Sequence, residues 1–392
     1  MNSLLILGGS YADIPLIGAG KALGFRVITS GNKASDLGHA HADFYAPADF
    51  SDRHEALAVA KEHKVSAICA ACNDFSALSA AFVAEQLGLP GHDSVSTSET
   101  VHHKDRFKAF SSQRGFTVPR AGGFTDKSMA FEFFKGLGTP ALVKPVDLTG
   151  GKGISRVESA SELERAIDFA LRKSKAGRFV VEEFVEGSRH GFSAFLVRGR
   201  VLFSFADDEY YYLNPYLVAG AATPSTVPEA SLEKLTNEIE RYADLLKLKD
   251  GIFHVQFILR RGDPVIIECC RRAPGDLYLK LVEHATGCRY AEFVVRAAAG
   301  LDCSDINQGR ALGCYIRHCI MPGQKGRVRK VAINHSLKQH VVDQLMWWAP
   351  GDEIVDPLTH KCGIVFLRFD TVGQMQGVLS RINDLITVET EQ

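Results

Sequence analysis

No run of basic residues and no acidic tail interrupts the 392-residue chain, whose formal net charge is -1. A nucleic-acid binder normally concentrates Lys and Arg on one face, so nucleic acid is set aside as a partner and a small molecule is favoured. No apolar stretch approaches the ~20 residues that span a bilayer, so the reading is also without a membrane. The run Leu4–Leu7 is too short for a signal peptide and has no basic flank. The nine cysteines are odd in number and scattered, which points to reduced thiols and a cytoplasmic setting rather than a disulfide framework. Cys69 and Cys72 form a CxxC, but no second Cys or His pair stands at zinc-site spacing. That pair reads either as a redox dithiol or as small residues filling a tight strand-to-helix junction, with the second favoured. No internal repeat and no low-complexity segment stands out.

What is present is the composition of a globular protein, 46% hydrophobic and 23% charged. The length suits two or three domains at roughly 150 residues each. Over the first hundred positions strand and helix alternate. Leu4–Leu7, Phe25–Thr29, Asp43–Ala46 and Ser66–Ala70 read as strands, and segments ending near Leu23, His63 and Leu87 read as helices. That alternation predicts an α/β, doubly wound parallel-sheet domain over 1–100. Gly8-Gly9 after the first strand could cradle a phosphate, but the GxGxxG fingerprint is absent and a tight βα turn is favoured.

From 101 to 300 the pattern changes to α+β. Strands are expected at Ala141–Pro145, Arg178–Glu183, Gly191–Val197, Arg200–Phe205, Ile252–Leu259 and Pro264–Glu268, with helices at Ser159–Lys173 and Glu229–Leu246. Asp207–Pro228, with Asp207, Asp208, Glu209 and the Tyr210-Tyr211-Tyr212 run, shows no clear periodicity and reads as a long loop, either a lid or a solvated connection. The small remainder, 301–392, reads as α+β with a last helix near Thr371–Leu385.

Four features carry chemistry. Lys104 follows the first domain. Lys144 ends a strand and leads into Asp147-Leu148-Thr149-Gly150-Gly151-Lys152-Gly153, a loop whose glycines could let backbone N–H groups approach phosphate oxygens, or which could be a plain hairpin turn. It is not a Walker A loop, because Gly153 replaces the required Ser or Thr. Val180–Gly187 is an apolar strand turning acidic, either a strand end or a hinge that reads an adenine edge. Gln256 and Glu268 lie on consecutive strands joined by the turn Arg260–Asp263, so an amide and a carboxylate can converge there. Such a pair suits Mg²⁺, or a structural ion pair with Arg271 and Arg272.

In that order, these motifs resemble the ATP-grasp superfamily, over residues 1 to about 300. The ending Ala349-Pro350-Gly351-Asp352 … Gly363-Ile364-Val365 is similar to the carboxylate–amine (L-amino-acid) ligase branch. The resemblance implies a pre-ATP-grasp domain, a two-part ATP-grasp domain hinged near 182–187, and an enzyme using ATP and Mg²⁺, with Mn²⁺ able to substitute. Lys104 and Lys144 would contact ATP phosphates under the loop of Gly150, Gly151 and Gly153. Glu182, Glu183 and Val185 would hold the adenine, mainly through backbone groups. Gln256 and Glu268 would ligate the metal, Gln resembling the carbamoyl-phosphate synthetase pattern. Arg272 would be catalytic, neutralising the phosphoryl group in transfer, and Arg271 and Asp276 would shape a substrate pocket. Arg317 and His318 are weaker candidates for that pocket, with a surface or packing role favoured. The implied reaction joins a small-molecule carboxylate to an amine through an acyl phosphate, with ADP and phosphate released; a bicarbonate-dependent carboxylase and a non-catalytic nucleotide-binding module are the alternatives. A homodimer fits the resemblance. Two departures are visible: Cys270 stands where the family usually has Asn, and the Glu that often binds ribose would fall near Gly191 and is missing.

Overall fold

The structure is a computed structural model that describes residues 2–137, 140–309 and 311–391. β1 (Ser3–Leu7), β2 (Arg26–Gly31), β3 (Phe44–Pro47) and β4 (Ala67–Ala70) form a parallel sheet in the order β3-β2-β1-β4. A parallel strand is covered on both faces and needs a continuous apolar run rather than alternation. β1 shows why: Leu5 and Leu7 pack with Val59 and Val83 of the domain's own helices, while Leu4 and Ile6 join the core that holds Tyr290 and Val294. The helices start where the sequence offers caps. Asp52 accepts from the amides of His54 and Glu55, and Asn73 from that of Ser76. The Gly8-Gly9 turn is closed by packing. A Cβ on Gly9 would stand 2.1 Å from the His39 ring, and the Asp13 carboxylate accepts from Ser10 and from the Cys72 amide. Cys69 is pushed up to about 12 by burial, and Cys72 is raised for the same first reason, so both thiols stay neutral packing groups.

β5 (Ala121–Phe124), β6 (Ala141–Pro145), β7 (Ser155–Val157) and β8 (Phe179–Glu183) form a small antiparallel sheet ordered β5-β8-β6-β7. The helices Lys127–Leu137 and Ala160–Lys173 bury their apolar stripes on it; Leu163, Ile167 and Ala170 of the second helix meet Val143 and Phe179.

The next strands are β9 (Ser188–Val197), β10 (Arg200–Tyr211), β11 (Val218–Thr223), β12 (Gly251–Arg260) and β13 (Asp263–Cys270). Beyond residue 310 come β14 (Cys314–Ile320), β15 (Gly326–Ile333), β16 (Val341–Met346), β17 (Glu353–Ile354), β18 (Gly363–Phe369) and β19 (Ile386–Glu391). One eight-stranded sheet takes the order β13-β12-β9-β10-β11-β14-β18-β16, so strands from beyond residue 310 extend the sheet begun at β9. β17, β15 and β19 make a separate small sheet.

Two expectations need correction. Asp207–Pro228 is not a structureless loop: β10 runs through Tyr211 and β11 spans Val218–Thr223, so only the connection between them and the stretch 224–228 lie outside the ladder. The alternating Asp207, Glu209, Tyr211 set was the period-2 signal, obscured because the inward face is polar. The last helix is two, Val372–Leu379 and Ile382–Leu385, the first capped by Thr371 and ending at Ser380.

Candidate active site

Four strands of the large sheet place one row of residues side by side. Glu268 on β13 faces Gln256 on β12, Gln256 faces Gly191 on β9, and Gly191 faces Asp207 on β10. Opposed residues of antiparallel strands project to the same face, so the row forms one wall. Gly191 is its gap: a Cβ there would stand 2.7 Å from Asp207 Oδ1. The missing ribose Glu and the buried Asp207 therefore belong together, since the neighbouring strand's carboxylate takes the space.

Above this wall lies a cavity of about 770 Å³, within the usual range for small-molecule sites. Lys104 heads the helix Lys104–Gln113, and its Nζ donates to Glu268 Oε1 at 2.8 Å and to the Leu148 carbonyl at 2.8 Å. Lys144 stands one residue before the end of β6 and pairs with the Glu182 carboxylate on the adjacent β8. Lys108, one helical turn beyond Lys104, also meets Glu182, at 3.7 Å. Burial alone would raise the Glu182 carboxyl, but Lys144 and then Lys108 outweigh it and hold it low. Lys108 is itself lowered to about 8, first by burial and opposed by Glu182. Sequence reading passed over Lys108; its i,i+4 spacing from Lys104 was the available signal. The Glu182 side chain is thus committed to lysines rather than to adenine, and the Glu183 amide donates to the Arg120 carbonyl at 2.8 Å. Both residues and Val185 still line the cavity.

Gly150, Gly151 and Gly153 adopt left-handed φ of +68°, +70° and +75°. The loop closes against the β10–β11 connection, where a Cβ on Gly151 would stand 2.6 Å from the Tyr216 carbonyl oxygen. Leu148 through Lys152 face the cavity.

Arg272 enters the cavity and is anchored by Asp74 of the first domain, Nε to Oδ1 at 2.8 Å, with His102 Nδ1 on the same oxygen at 3.0 Å. Arg271 does not line it. Its guanidinium pairs with Asp93 at 2.9 Å and donates to the carbonyls of Lys249, Gly251 and Ile252, so its expected substrate role is corrected to a structural clamp. Asp276 does line the cavity, yet its carboxylate is already bound by Lys361 Nζ at 2.6 Å and the Tyr11 hydroxyl at 2.7 Å. Burial would raise it; Lys361 and Arg317 hold it low.

Arg317, for which a surface or packing role was favoured, is only 3% exposed and lines the cavity; it donates through Nη1 to the Asp276 carbonyl at 2.9 Å, and its buried Nε has no partner among the described residues. Its neighbour His318 is the packing residue expected, lowered to about 4 by burial and then by Arg317. Asp207 accepts from the Tyr278 hydroxyl at 2.8 Å and is pushed up to about 7, first by burial and then by Glu209. Cys270 is raised to about 11, first by burial, and its thiol points to the Arg272 carbonyl at 3.5 Å. A neutral thiol beside oxygen donors is no ligand for a hard cation.

The oxygens that could hold a cation are those of the Glu268 carboxylate, which Lys104 also meets, and the Gln256 amide oxygen. Among the described residues no group of three or more His, Cys, Asp or Glu could hold a metal. Two protein oxygens fit Mg²⁺, which keeps the rest of its shell for phosphates and water. No helix among the described residues is long and apolar enough to cross a membrane.

Residues 137–279 match the ATP-grasp domain. Among curated proteins, mouse mitochondrial carbamoyl-phosphate synthase [ammonia] is 31% identical over 149 residues, 37% of this chain and 10% of that protein. The chain thus spans about a tenth of that relative's length. Among solved structures, the L-amino acid ligase of Bacillus licheniformis superposes with a TM-score of 0.83 at 19% identity, covering 100% of this chain and 99% of that one. The phosphoribosylglycinamide synthetase of Anaerococcus prevotii gives 0.78 at 20% identity, covering 100% of both. Residues 137–279 are thus similar to an ATP-grasp domain, and the chain as a whole has the fold shared by that L-amino acid ligase and that phosphoribosylglycinamide synthetase.

Proposed function

We propose that the protein is an ATP-dependent carboxylate–amine ligase that forms an amide or peptide bond through an acyl phosphate and releases ADP and phosphate. The observation that carries this reading is the continuity of the cavity. It runs from the lysine and glycine-loop end, past Glu268 and Arg272, to a second end walled by Asp207, Arg317 and Trp347. An enzyme that only hydrolysed or held a nucleotide would have no need of that second, charged end.

Lys104 and Lys144 would exchange their carboxylate partners for ATP phosphates, with Gly150, Gly151 and Gly153 closing over them. Glu268 and the Gln256 amide oxygen would hold Mg²⁺, which when bound neutralises phosphate charge. Arg317, in the wall of the cavity, would hold the acid substrate's carboxylate through its guanidinium. A carboxylate oxygen attacks the γ-phosphorus, the new O–P bond forms, and the bond to ADP breaks; Arg272 stands where charge accumulates. The amine then attacks the acyl carbon, and phosphate leaves from the tetrahedral intermediate. Asp207, titrating near neutrality, can take the amine's proton. The glycine loop against Tyr216 keeps water from the intermediate. A cytoplasmic setting and a homodimer complete the proposal; the nine cysteines are all unpaired, as reduced thiols would be.

A second reading, a carboxylase that makes carboxyphosphate from bicarbonate, draws on the curated match and on Gln256. A screen of carboxylates against amines, with hydroxylamine as a substitute amine, separates the two. The ligase predicts ADP and a hydroxamate in equal amounts without bicarbonate. ADP release that depends on bicarbonate favours the carboxylase. ATP binding with no substrate-stimulated ADP release leaves a nucleotide-binding module.

A further inference from the structure

We infer that Glu209 is a positioning residue that fixes which end of the Gln256 amide faces the cation site. This rests on the metal role proposed above for Gln256. A side-chain amide has two unlike ends, and only its oxygen can bind a cation. Gln256 could present either end to the cavity, because rotating the amide by half a turn changes little in shape. Its Nε2 donates to Glu209 Oε1 at 2.7 Å. An ionised carboxylate accepts hydrogen bonds and offers none, so it selects the NH₂ end and turns the amide oxygen away from itself. Glu268 stands directly across the ladder from Gln256.

Glu209 is itself held. Its other oxygen accepts from the Tyr211 hydroxyl at 2.6 Å, so each oxygen has an assigned partner and the carboxylate is held in one orientation. The contact spans β9, which lies between β10 and β12. The chain Tyr211–Glu209–Gln256 therefore orients a ligand in the way that carboxylates behind metal-bound histidines do, a kind of support whose loss typically weakens metal affinity by about 10–100-fold.

The test is Mn²⁺ binding to the protein in the presence of ADP, read from the resonance of free Mn²⁺. Melting temperatures of the metal-free variants check folding. Glu209→Met removes the acceptor and should weaken Mn²⁺ binding about tenfold or more. Glu209→Gln keeps an acceptor oxygen for Nε2 and should retain affinity within a few-fold. Decisively, Glu209→Met should cost nothing in a Gln256→Glu background, because a carboxylate has two equivalent oxygens and needs no orienting. Equal losses for Glu209→Met and Glu209→Gln, or the same loss in both backgrounds, would overturn the inference and point to charge or direct ligation. Wild-type binding that ignores Glu209→Met would overturn it while leaving the cation site intact. Absence of Mn²⁺ binding in the wild type would remove the site itself, and the inference with it.

Discussion

Lys144, Lys108 and Glu182 form a buried group of two cations and one anion, with Lys104 paired separately to Glu268. In this arrangement the excess positive charge at the loop end awaits an anion. Lys144→Met should lower ATP affinity by at least about tenfold, in line with the 1.5–3 kcal/mol of a charge-assisted hydrogen bond, while calorimetry shows a folded protein. Unchanged affinity would remove Lys144 from the phosphate site. At Asp207 the sign can be worked out. Its folded value, about 7, lies above the ordinary ~3.9, so the folded state keeps a proton that the unfolded state has lost. Stability from this group therefore falls as pH rises from about 4 through 7, and Asp207→Asn should raise the melting temperature at pH 8 but not at pH 4, with up to about 4 kcal/mol at stake. A gain of equal size at both pH values would refute the assignment. Gln256→Glu sets two half-buried carboxylates together beside Glu209, so the melting temperature should fall more at pH 8 than at pH 5.

At the scale of elements, the sequence was legible wherever the buried positions are apolar. β1, β12 and β13 announce themselves, and the turn Arg260–Asp263 sets Gln256 against Glu268 as expected. β10 failed because the inward positions Asp207, Glu209 and Tyr211 are polar, and a polar inner face looks like a loop. Arg317 was hidden for a different reason: nothing in its neighbourhood reveals that β14 enters the large sheet next to β11 and carries the guanidinium into the cavity. Arg271 and Arg272 are adjacent in the chain yet turn to different partners, Asp93 and Asp74, which only the packing of the first domain decides. The glycine loop gives an element-scale prediction. Gly151→Ala puts a Cβ into the Tyr216 carbonyl and asks a left-handed φ of alanine, a strain of about 1–2 kcal/mol. The loop is half-exposed, so the melting temperature without nucleotide should move by no more than a few degrees. The stabilisation added by ATP should shrink markedly, as measured by thermal shift; an undiminished shift would mean that the loop does not close on nucleotide.

Across the whole molecule, the first hundred residues supply the group that holds Arg272 in place. Asp74, itself bonded by His102, fixes its guanidinium, and Leu4 and Ile6 share a core with Tyr290. Removing one partner of a buried ion pair strands the other, at roughly 3–5 kcal/mol. Asp74→Ala should therefore destabilise the protein by that order in a denaturant titration and lower turnover more than ATP affinity, whereas equal losses in both would make the pair purely structural. The central claim is that one cavity brings an acid to the γ-phosphate and then an amine to the resulting acyl phosphate. It is tested most directly by supplying the acid found in the screen with both carboxylate oxygens as ¹⁸O. The account predicts one ¹⁸O atom in each molecule of inorganic phosphate released, and none in the nucleotide. Label appearing in AMP, or phosphate free of label while product forms, would contradict it.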